Sequence, residues 1–519
     1  MRKKKAIALI VAVLVLASAC ALLLAACDDG TATPAGKGVT RPENVFTNDI
    51  DQTDGENLVT GASVTASSAQ DGVSALTDGD KETAWTAEST EDEYVEIRFS
   101  APTEINTVVL RENGNYITGF RFLKEDDGAW TEFYRQDRME RYRYCTFDAE
   151  TVSAIRITFD GANAGRSISL SDIEIYNLAP KTYEKEFMVT SYMHPNDYAE
   201  AMAKPEELKN QLSVVTDVIL FNFLYWDAEG NLVFTQSPGD PDSENDADYL
   251  VQAASDIKAA AAEAGYEVRI CVDLWPQNIS EHGLPQNKDK LIEQLIDAAE
   301  AYDIDGYEFD WEYPANATEW VYYGDLLADL SDALEDTYVS VALSNFNVGF
   351  TESQIERIDY VQIMGYDRFD VDGNNASFRS GAYLPMRYFV NLGFKPSQLI
   401  AGMPAYGRPD TTKEEEGGTW TDYDYGEVWG SSDKTEEFTY WDNVQWINYP
   451  AYSSTELLDV YVTGAAMAAD KTAYAIEQGF AGVMIFRGME DMPFDKLDSD
   501  GHSLSITKAI GDTIADRIA

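Results

Sequence analysis

The chain has 519 residues, enough for two or three domains with sizeable cores. Lys and Arg number 38 against 91 Asp and Glu, which gives a formal net charge of −53. A chain this acidic repels phosphate backbones and anionic lipid head groups, so neither nucleic acid nor a lipid surface is expected as a partner. The excess of acids is most simply a solvated surface rather than a specific cation-binding device.

The first 27 residues have the form of an export signal. A basic start, Met1 to Lys5, precedes an apolar run from Ala6 to Leu24. The run leads into the sequence LAAC and resembles a bacterial lipoprotein signal. This resemblance implies that Cys27 is lipidated and anchors an exported protein to the outer face of the cell membrane, with Cys20 a weaker candidate. An uncleaved membrane-spanning anchor is the alternative, since the run could nearly cross a bilayer.

Residues 28–55 are small and polar with almost no aromatic side chains, so they are predicted to form a flexible linker. The two cysteines that follow, Cys145 and Cys271, fall in different predicted domains, and no disulfide is expected between them. With only His194, His282 and His502 in the chain, no Cys/His cluster suits zinc, which excludes a zinc or redox function.

Residues 56–180 are predicted to form an all-β sandwich. Short runs with strand character are separated by turn residues, and no long helical period interrupts them. The runs are Tyr94 to Phe99, Thr107 to Leu110, Phe120 to Leu123, Ala154 to Phe159 and Asp172 to Tyr176.

Three sequences in this domain resemble a discoidin-type domain, a group that includes the carbohydrate-binding modules of family 32. They are ASS at 66–68, LTDGDKETAW at 76–85 and SDIEIY at 171–176. The resemblance implies a sugar-binding module with a structural calcium ion, for which the matching oxygen donors are Asp78, Asp80, Thr83 and Glu174. The alternatives are a plain Asp-Gly turn before a core tryptophan, Trp85, and a module with a purely structural role.

From residue 185 to 519, strand-like and helical runs alternate. Segments such as Ala247 to Ala264 and Lys288 to Ala301 are rich in helix formers. This alternation predicts an α/β fold, a (β/α)8 TIM barrel that follows the discoidin-like sandwich. The eight strand candidates are Phe187 to Tyr192, Val218 to Phe223, Val268 to Leu274, Gly306 to Asp310, Val339 to Leu343, Tyr360 to Gly365, Leu399 to Met403 and Gly482 to Phe486.

Two features near the C-terminus complete the predicted barrel. Isoleucines recur every four residues from Ile506 to Ile518, which predicts a buried helical stripe. A long insertion, 409–453, separates the seventh and eighth strands and would form either a wall of the active-site cleft or a small core of its own. Its aromatic residues are Trp420, Tyr423, Tyr425, Trp429, Trp441 and Trp446.

The fourth strand candidate carries the main chemical signal, DGYEFDWEYP at 305–314. Glu308, Asp310 and Glu312 alternate, so they share one face of the strand while three aromatic residues share the other. Close carboxyl groups cannot all ionise, so the three are predicted to titrate together and to retain a proton. Glu312 lies at the C-terminal end of the strand, where catalytic residues of barrel enzymes lie, and is the predicted general acid and base.

The same stretch resembles the signature of glycoside hydrolase family 18, the chitinase family. Residues 360–367 (YVQIMGYD), 401–408 (AGMPAYGR) and 479–486 (GFAGVMIF) resemble the sixth, seventh and eighth strands of that family. The resemblance extends from residue 187 to the end of the chain. It implies retaining hydrolysis without a cofactor, in which the 2-acetamido oxygen of the substrate attacks the anomeric carbon.

The resemblance also implies roles for single residues. Glu312 protonates the leaving oxygen and later activates water. Asp310 orients the acetamido group and stabilises its developing charge, Tyr366 hydrogen-bonds that group, and Glu308 is the deepest acid. The remaining substrate-binding residues expected are Trp275, Met364, Asp367, Tyr406, Arg408 and Phe486.

Three positions depart from the family pattern. Glu308 replaces an aspartate and adds a methylene to a packed interior. Phe486 replaces a tryptophan and loses the indole N–H donor. The third strand lacks the usual Ser-x-Gly-Gly. These changes concern rate and substrate preference more than reaction class.

The expected function is hydrolysis of β-1,4 bonds at N-acetylglucosamine, with chitin oligomers as the chitinase-like substrate. Endo-β-N-acetylglucosaminidase action on the chitobiose core of N-glycans is the first alternative, and peptidoglycan is a third glycan. A non-catalytic surface lectin is the alternative outside this reaction class. The sequence leaves open the natural glycan and the choice between endo and exo cleavage.

Overall fold

A computed structural model describes residues 53–227, 229–235, 247–276, 284–346, 348–367, 377–409, 423–424, 438–448 and 457–519. The predicted signal with Cys27, most of the linker, and Trp420, Tyr425 and Trp429 of the insertion lie outside the described residues. Among the helices of the described ranges, none is both long enough and apolar enough to cross a membrane.

The N-terminal domain is built from antiparallel strands in the order β2-β7-β3-β6-β4-β5, with β1 paired to β3. A short 3-10 helix spans Gln70–Leu76. The predicted runs Tyr94 to Phe99 and Thr107 to Leu110 are one strand, because the chain passes through bulges instead of ending at a turn. The strands are β1 Ser63–Ala66, β2 Trp85–Thr86, β3 Tyr94–Glu112, β4 Ile117–Asp126, β5 Ala129–Gln136, β6 Tyr142–Ala162 and β7 Ser169–Tyr176.

The C-terminal domain is a closed parallel barrel, which confirms the predicted fold. Its strands pair in chain order, and the last pairs with the first to close the ring. Each of the predicted strands is present, with shifts of a few residues at the ends. The barrel strands are β8 Met188–Met193, β9 Asp217–Trp226, β11 Arg269–Pro276, β12 Gly306–Phe309, β13 Tyr338–Leu343, β14 Tyr360–Ile363, β15 Leu399–Pro404 and β20 Gly482–Phe486, and β10 Leu232–Phe234 pairs antiparallel with β9.

Helices surround the barrel, and the helices predicted at 247–264 and 288–301 are both present. In the last helix Ile506 and Ile510 are fully buried, as the four-residue repeat predicted, while Ile514 and Ile518 are half-buried. The helices are α1 Pro195–Ala203, α2 Pro205–Leu212, α3 Asp248–Ala264, α4 Leu284–Tyr302, α5 Ala317–Ala333, α6 Glu352–Ile355, α7 Leu384–Leu392, α8 Ala465–Glu477 and α9 Ile506–Arg517. A π-helical turn, Arg379–Tyr383, precedes α7, and 3-10 turns span Pro396–Gln398 and Gly488–Glu490.

The chain between the last two barrel strands contributes a small antiparallel sheet. Its strands, in the order β17-β16-β19-β18, are β16 Tyr406–Pro409, β17 Tyr423–Asp424, β18 Val444–Asn448 and β19 Leu457–Tyr461. Trp441 packs against the core of the N-terminal domain, with its ring 5.3 Å from that of Tyr134. For Trp441, the predicted positions in a cleft wall or a private core are both wrong, because a neighbouring domain offers it a larger apolar surface.

The two domains share a core. Tyr142 and Tyr144 of β6 belong to the same apolar cluster as the barrel strands and helices, and both rings contact Tyr474 of α8. Asp470 of α8 is fully buried and accepts hydrogen bonds from Arg143 Nη2 (2.7 Å), Tyr134 Oη (2.6 Å) and the Thr146 amide (2.7 Å). The domain contact is therefore packed and hydrogen-bonded like a protein interior.

Candidate active site

A cleft of about 620 Å³ opens at the C-terminal end of the barrel strands. Its walls are rich in aromatic side chains, with carboxyl groups at the base, which is the usual composition of a sugar site. The lining residues are Tyr192, Phe221, Trp275, Asp310, Glu312, Tyr313, Ala342, Ser344, Phe346, Met364, Tyr366, Asp367, Tyr406, Arg408 and Phe486.

Every substrate-binding residue predicted from the sequence lines this cleft, as do three of the four predicted catalytic residues. The fourth, Glu308, lies below them inside the barrel and is fully buried. Sequence reasoning missed Tyr313, on the segment that carries Glu312, as part of the site. It also missed Tyr192, Phe221, Ala342, Ser344 and Phe346. These residues lie on other strands and their following loops, and their identities carry no chemical signal of their own.

The three alternating acids point into the barrel, as predicted. Strand β12 ends at Phe309, so Asp310 and Glu312 lie on the segment that follows it rather than on the strand itself. The aromatic residues that alternate with these acids face outward. The Tyr307 hydroxyl, for example, donates to the Leu295 carbonyl at 2.7 Å. Among the three acids only Glu312 is exposed, at the base of the cleft; Glu308 and Asp310 are buried.

A fourth carboxyl group, Asp273 of β11, joins this ladder. The strand register places it directly beside Glu308, and both side chains are fully buried. Burial raises the pKa of both groups well above their ordinary values, and the charge of each neighbouring acid, Asp310 beside Asp273 and Asp273 beside Glu308, raises it further. The inward alternation of Cys271, Asp273 and Trp275 was the signal in the sequence that could have revealed it.

The electrostatics of the ladder favour a retained proton. The pKa of Asp310 is raised well above its usual value, first by burial and then by Glu308 and Glu312. The pKa of Glu312 is also raised, first by confinement in the cleft and then by the charge of Asp367, while the neighbouring Tyr313 hydroxyl opposes the shift. A raised pKa lets Glu312 hold its proton to higher pH than an ordinary glutamate does, which suits general acid catalysis.

Asp367 is held in place by two side chains of β16. The Arg408 guanidinium donates to both of its oxygens, Nε at 2.7 Å and Nη2 at 2.9 Å, and the Tyr406 hydroxyl donates at 2.8 Å. This paired, charge-assisted geometry fixes the carboxylate on one wall of the cleft. The backbone of Asp367 has a positive φ of 56°.

Aromatic rings form a continuous apolar surface around Phe486. The Tyr366 ring stacks on it with centroids 5.8 Å apart, and the Tyr192 and Phe221 rings lie at 5.3 Å and 5.6 Å. On the opposite rim, Tyr313 packs edge-on against Phe346 and its hydroxyl donates to Ser344 Oγ at 3.1 Å. Such faces stack on the apolar sides of sugar rings.

Comparison with known proteins agrees with this geometry. The pattern of the family described as glycosyl hydrolases family 18 matches residues 192–491, which is more than half of the chain. The chain belongs to glycosyl hydrolases family 18. The pattern of the F5/8 type C domain matches residues 61–172, so the N-terminal domain of this family 18 protein is discoidin-like, as its sequence predicted.

The relatives of this family 18 chain include named chitinases. A class V chitinase of Medicago truncatula is 26% identical over 145 residues, which cover 23% of this chain and 38% of the relative. A probable endochitinase of Caenorhabditis elegans is 26% identical over 147 residues, covering 23% of this chain and 24% of the relative. The matched segments thus span well under half of either relative.

Solved structures with a similar fold include chitinases. A family 18 chitinase of Flavobacterium johnsoniae has a TM-score of 0.45 and 17% identity, over 64% of this chain and 95% of the other. A class V chitinase of Nicotiana tobaccum has a TM-score of 0.47 and 16% identity, over 63% of this chain and 99% of the other.

Two departures from the usual family 18 pattern lie on neighbouring strands, β12 and β11. Glu308, one methylene longer than the usual aspartate, lies directly beside Asp273 on the strand that lacks Ser-x-Gly-Gly. The third departure, Phe486, keeps an aromatic face at the centre of the ring cluster.

The predicted calcium ligands are only partly brought together. Asp78 and Thr83 share a turn in which the Thr83 hydroxyl donates to Asp78 Oδ2 at 2.8 Å, and the Asp80 amide donates to Asp78 Oδ1 at 2.8 Å. Glu174 accepts a 2.9 Å hydrogen bond from the Tyr176 hydroxyl. In the described residues no three acidic, histidine or cysteine side chains are grouped to hold a metal, and calcium binding stays a prediction.

Proposed function

We propose that this protein is a retaining glycoside hydrolase that cleaves β-1,4 bonds at N-acetylglucosamine, with chitin oligomers as substrate. One observation carries the proposal: a ladder of acids opens into an aromatic cleft, with Asp310 buried at its lining and Glu312 exposed at the outer end. Membership of glycosyl hydrolases family 18 supports the reaction class.

The first chemical step breaks the bond between the anomeric carbon and the leaving oxygen. Glu312 gives its proton to that oxygen while the acetamido oxygen of the same sugar forms a new bond to the anomeric carbon. The positive charge spreads over the resulting oxazolinium ring, beside the carboxyl group of Asp310. In this proposal the hydroxyl of Tyr366 hydrogen-bonds the acetamido group during the attack.

In the second step Glu312, now a carboxylate, takes a proton from water. The hydroxide equivalent attacks the anomeric carbon, opens the oxazolinium ring and returns the acetamido group to its original form. Two inversions restore the β configuration, so the enzyme supplies no nucleophile of its own. The sugar on the non-reducing side of the cut must therefore carry an N-acetyl group.

The choice of chitin rests on the chemistry of the cleft and on the relatives. The cluster of aromatic rings around Phe486 offers apolar surface to N-acetylglucosamine rings, and the named relatives include a chitinase, an endochitinase and a Nod factor hydrolase. Product analysis by mass spectrometry on chitin oligomers, N-glycoproteins and peptidoglycan separates the three candidate glycans.

Replacement of the predicted acid tests the proposal. We expect Glu312→Gln to lower kcat on chitin oligomers by about 10²-fold to 10⁴-fold, because the amide cannot donate the proton, while oligomer binding survives. Glu300→Gln, which changes an exposed glutamate on helix α4, is the matched control and should keep full activity. If wild-type protein and Glu312→Gln are equally inert on all three glycans, the lectin alternative replaces the hydrolase.

We also propose that the mature protein is a lipid-anchored protein of the bacterial cell surface. The support is the basic and apolar N-terminus that leads into Cys27. Labelling with a palmitate analogue in a bacterial host should mark the wild type and Cys20→Ser but not Cys27→Ser. Equal labelling of both variants would refute Cys27 as the anchor.

A further inference from the structure

We infer that residues 136–143 of the N-terminal domain, here called the docking loop, position the Tyr366–Asp367 wall of the cleft. The discoidin-like domain then helps to position residues of the active site, in addition to being a candidate sugar-binding module. Two separate series of contacts connect the docking loop to this wall. Each series begins at residues outside the cleft and ends at residues that line it.

The first route begins at Glu140. Its side chain is 2% exposed, and its carboxylate accepts hydrogen bonds from the backbone amides of Phe378 (3.2 Å) and Arg379 (2.5 Å). These amides begin the π-helical turn Arg379–Tyr383. The Tyr142 ring stacks on Tyr383 at the other end of the same turn, with centroids 4.4 Å apart and planes 23° apart. The docking loop therefore holds both ends of the turn.

This π-helical turn contacts the segment that follows strand β14 and lines the cleft. Gly381, at its centre, packs so closely on Gly365 that a Cβ on Gly365 would clash with the Gly381 carbonyl oxygen. Gly365 lies between Met364 and Tyr366, and both of those side chains line the cleft. Since two glycines in contact leave no flexible side chain to absorb a shift, a movement of the turn passes directly to Tyr366.

The second route begins at Arg138. Its guanidinium lies 5.0 Å from the centre of the Tyr461 ring. Tyr461 pairs through its backbone with Arg408 across β19 and β16, and Arg408 grips Asp367. Beside this route, the buried Asn443 donates to Gln136 and Asp137 at 3.0 Å each and accepts from the Gly464 amide at 3.0 Å.

Docking of the domains does not by itself require these contacts. The buried ion pair between Arg143 and Asp470 and the packing of Tyr144 on Tyr474 already join the domains at α8. Glu140 and Arg138 instead contact the turn and the strand that lead to the cleft. Lys471 of α8 is also buried; burial lowers its pKa to about 7, and the charge of Glu140 opposes that shift.

The test uses the full chain and has one arm that depends on the proposed hydrolase function. We expect Glu140→Ala to lower kcat on chitin oligomers by about 10-fold to 10²-fold, because a small displacement of a positioning group costs that much. Arg138→Ala should act in the same direction, and Glu140→Gln should rescue part of the loss because its amide oxygen still accepts from one backbone N–H. Glu150→Ala, on β6 beside Lys124, is the matched control and should match the wild type.

The second arm does not depend on any activity. Amide hydrogen exchange in residues 360–367 and 377–383 should be faster in Glu140→Ala than in Glu150→Ala, while exchange in helix α3, which packs on β9 and β11, is unchanged. Faster exchange in these segments alone supports the inference even if no glycan is cleaved, in which case only the proposed function fails. Wild-type exchange there in both Glu140→Ala and Arg138→Ala overturns the inference, as does unchanged kcat in an active enzyme.

Discussion

The charge of Asp367 should set part of the pH dependence of the enzyme. Asp367 raises the pKa of Glu312, so replacing it with Asn removes a negative charge from the cleft. The substitution also leaves Arg408 without the carboxylate that it contacts at 2.7 Å and 2.9 Å. Both changes favour the ionised form of Glu312, and both therefore lower its pKa.

The size of the shift follows from the position of the charges. Two unit charges in a cleft open to water interact by about 1 kcal/mol, which corresponds to somewhat less than one pKa unit. Glu312 must be protonated to act as the acid, so activity is lost as the pH rises through its pKa. The alkaline limb of the kcat/KM profile should move to lower pH by about half a unit to one unit.

Hydrolysis of a fluorogenic chitobioside between pH 4 and 10 measures this limb, since kcat/KM reports the ionisation of the free enzyme. The value of kcat/KM at the optimum should also fall by about 10-fold or more, because a charge-assisted contact is lost. Asp289→Asn, on the exposed side of α4, is the control and should leave the limb in place. An alkaline limb that stays fixed or moves to higher pH in Asp367→Asn would refute the reasoning.

Three further outcomes are expected. Asp470→Asn should lower the free energy of unfolding by about 3–5 kcal/mol, since Arg143 stays buried without its counter-charge; calorimetry that shows an unchanged Tm would contradict this. Phe486→Ala should raise KM for chitin oligomers about 10-fold or more because it removes the ring at the centre of the aromatic cluster, and an unchanged KM would argue against stacking there. Cys145 and Cys271 are fully buried free thiols with raised pKa values, so they should react with a thiol reagent only after unfolding; peptide mapping of native protein that finds either one labelled would show the burial to be wrong.

The barrel could be predicted from the sequence because its strands are short apolar runs. The secondary structure of such runs follows from the local sequence and does not depend on residues far along the chain. The acid ladder was predictable for a similar reason: alternation along a single strand fixes which side chains share a face. Glu308, Asp310 and Glu312 could therefore be placed together before any coordinates were known. The structure confirmed this arrangement and moved only the end of the strand, to Phe309.

Residues whose role depends on a neighbouring strand were harder to find. Asp273 became visible as a partner of Glu308 only through the register between β11 and β12. Trp441 was assigned to the insertion because nothing in the local sequence shows that a second domain covers it.

The shared core has a practical consequence for anyone who wishes to shorten this chain. Cutting between residues 180 and 185 would uncover Tyr474 and Tyr383, and it would present the charge of Asp470 to solvent without Arg143. The isolated barrel would then expose an aromatic patch that includes Tyr474 and Tyr383, and we expect it to aggregate. Fusion proteins that use this barrel should therefore keep the N-terminal sandwich, whichever glycan they are designed to cleave.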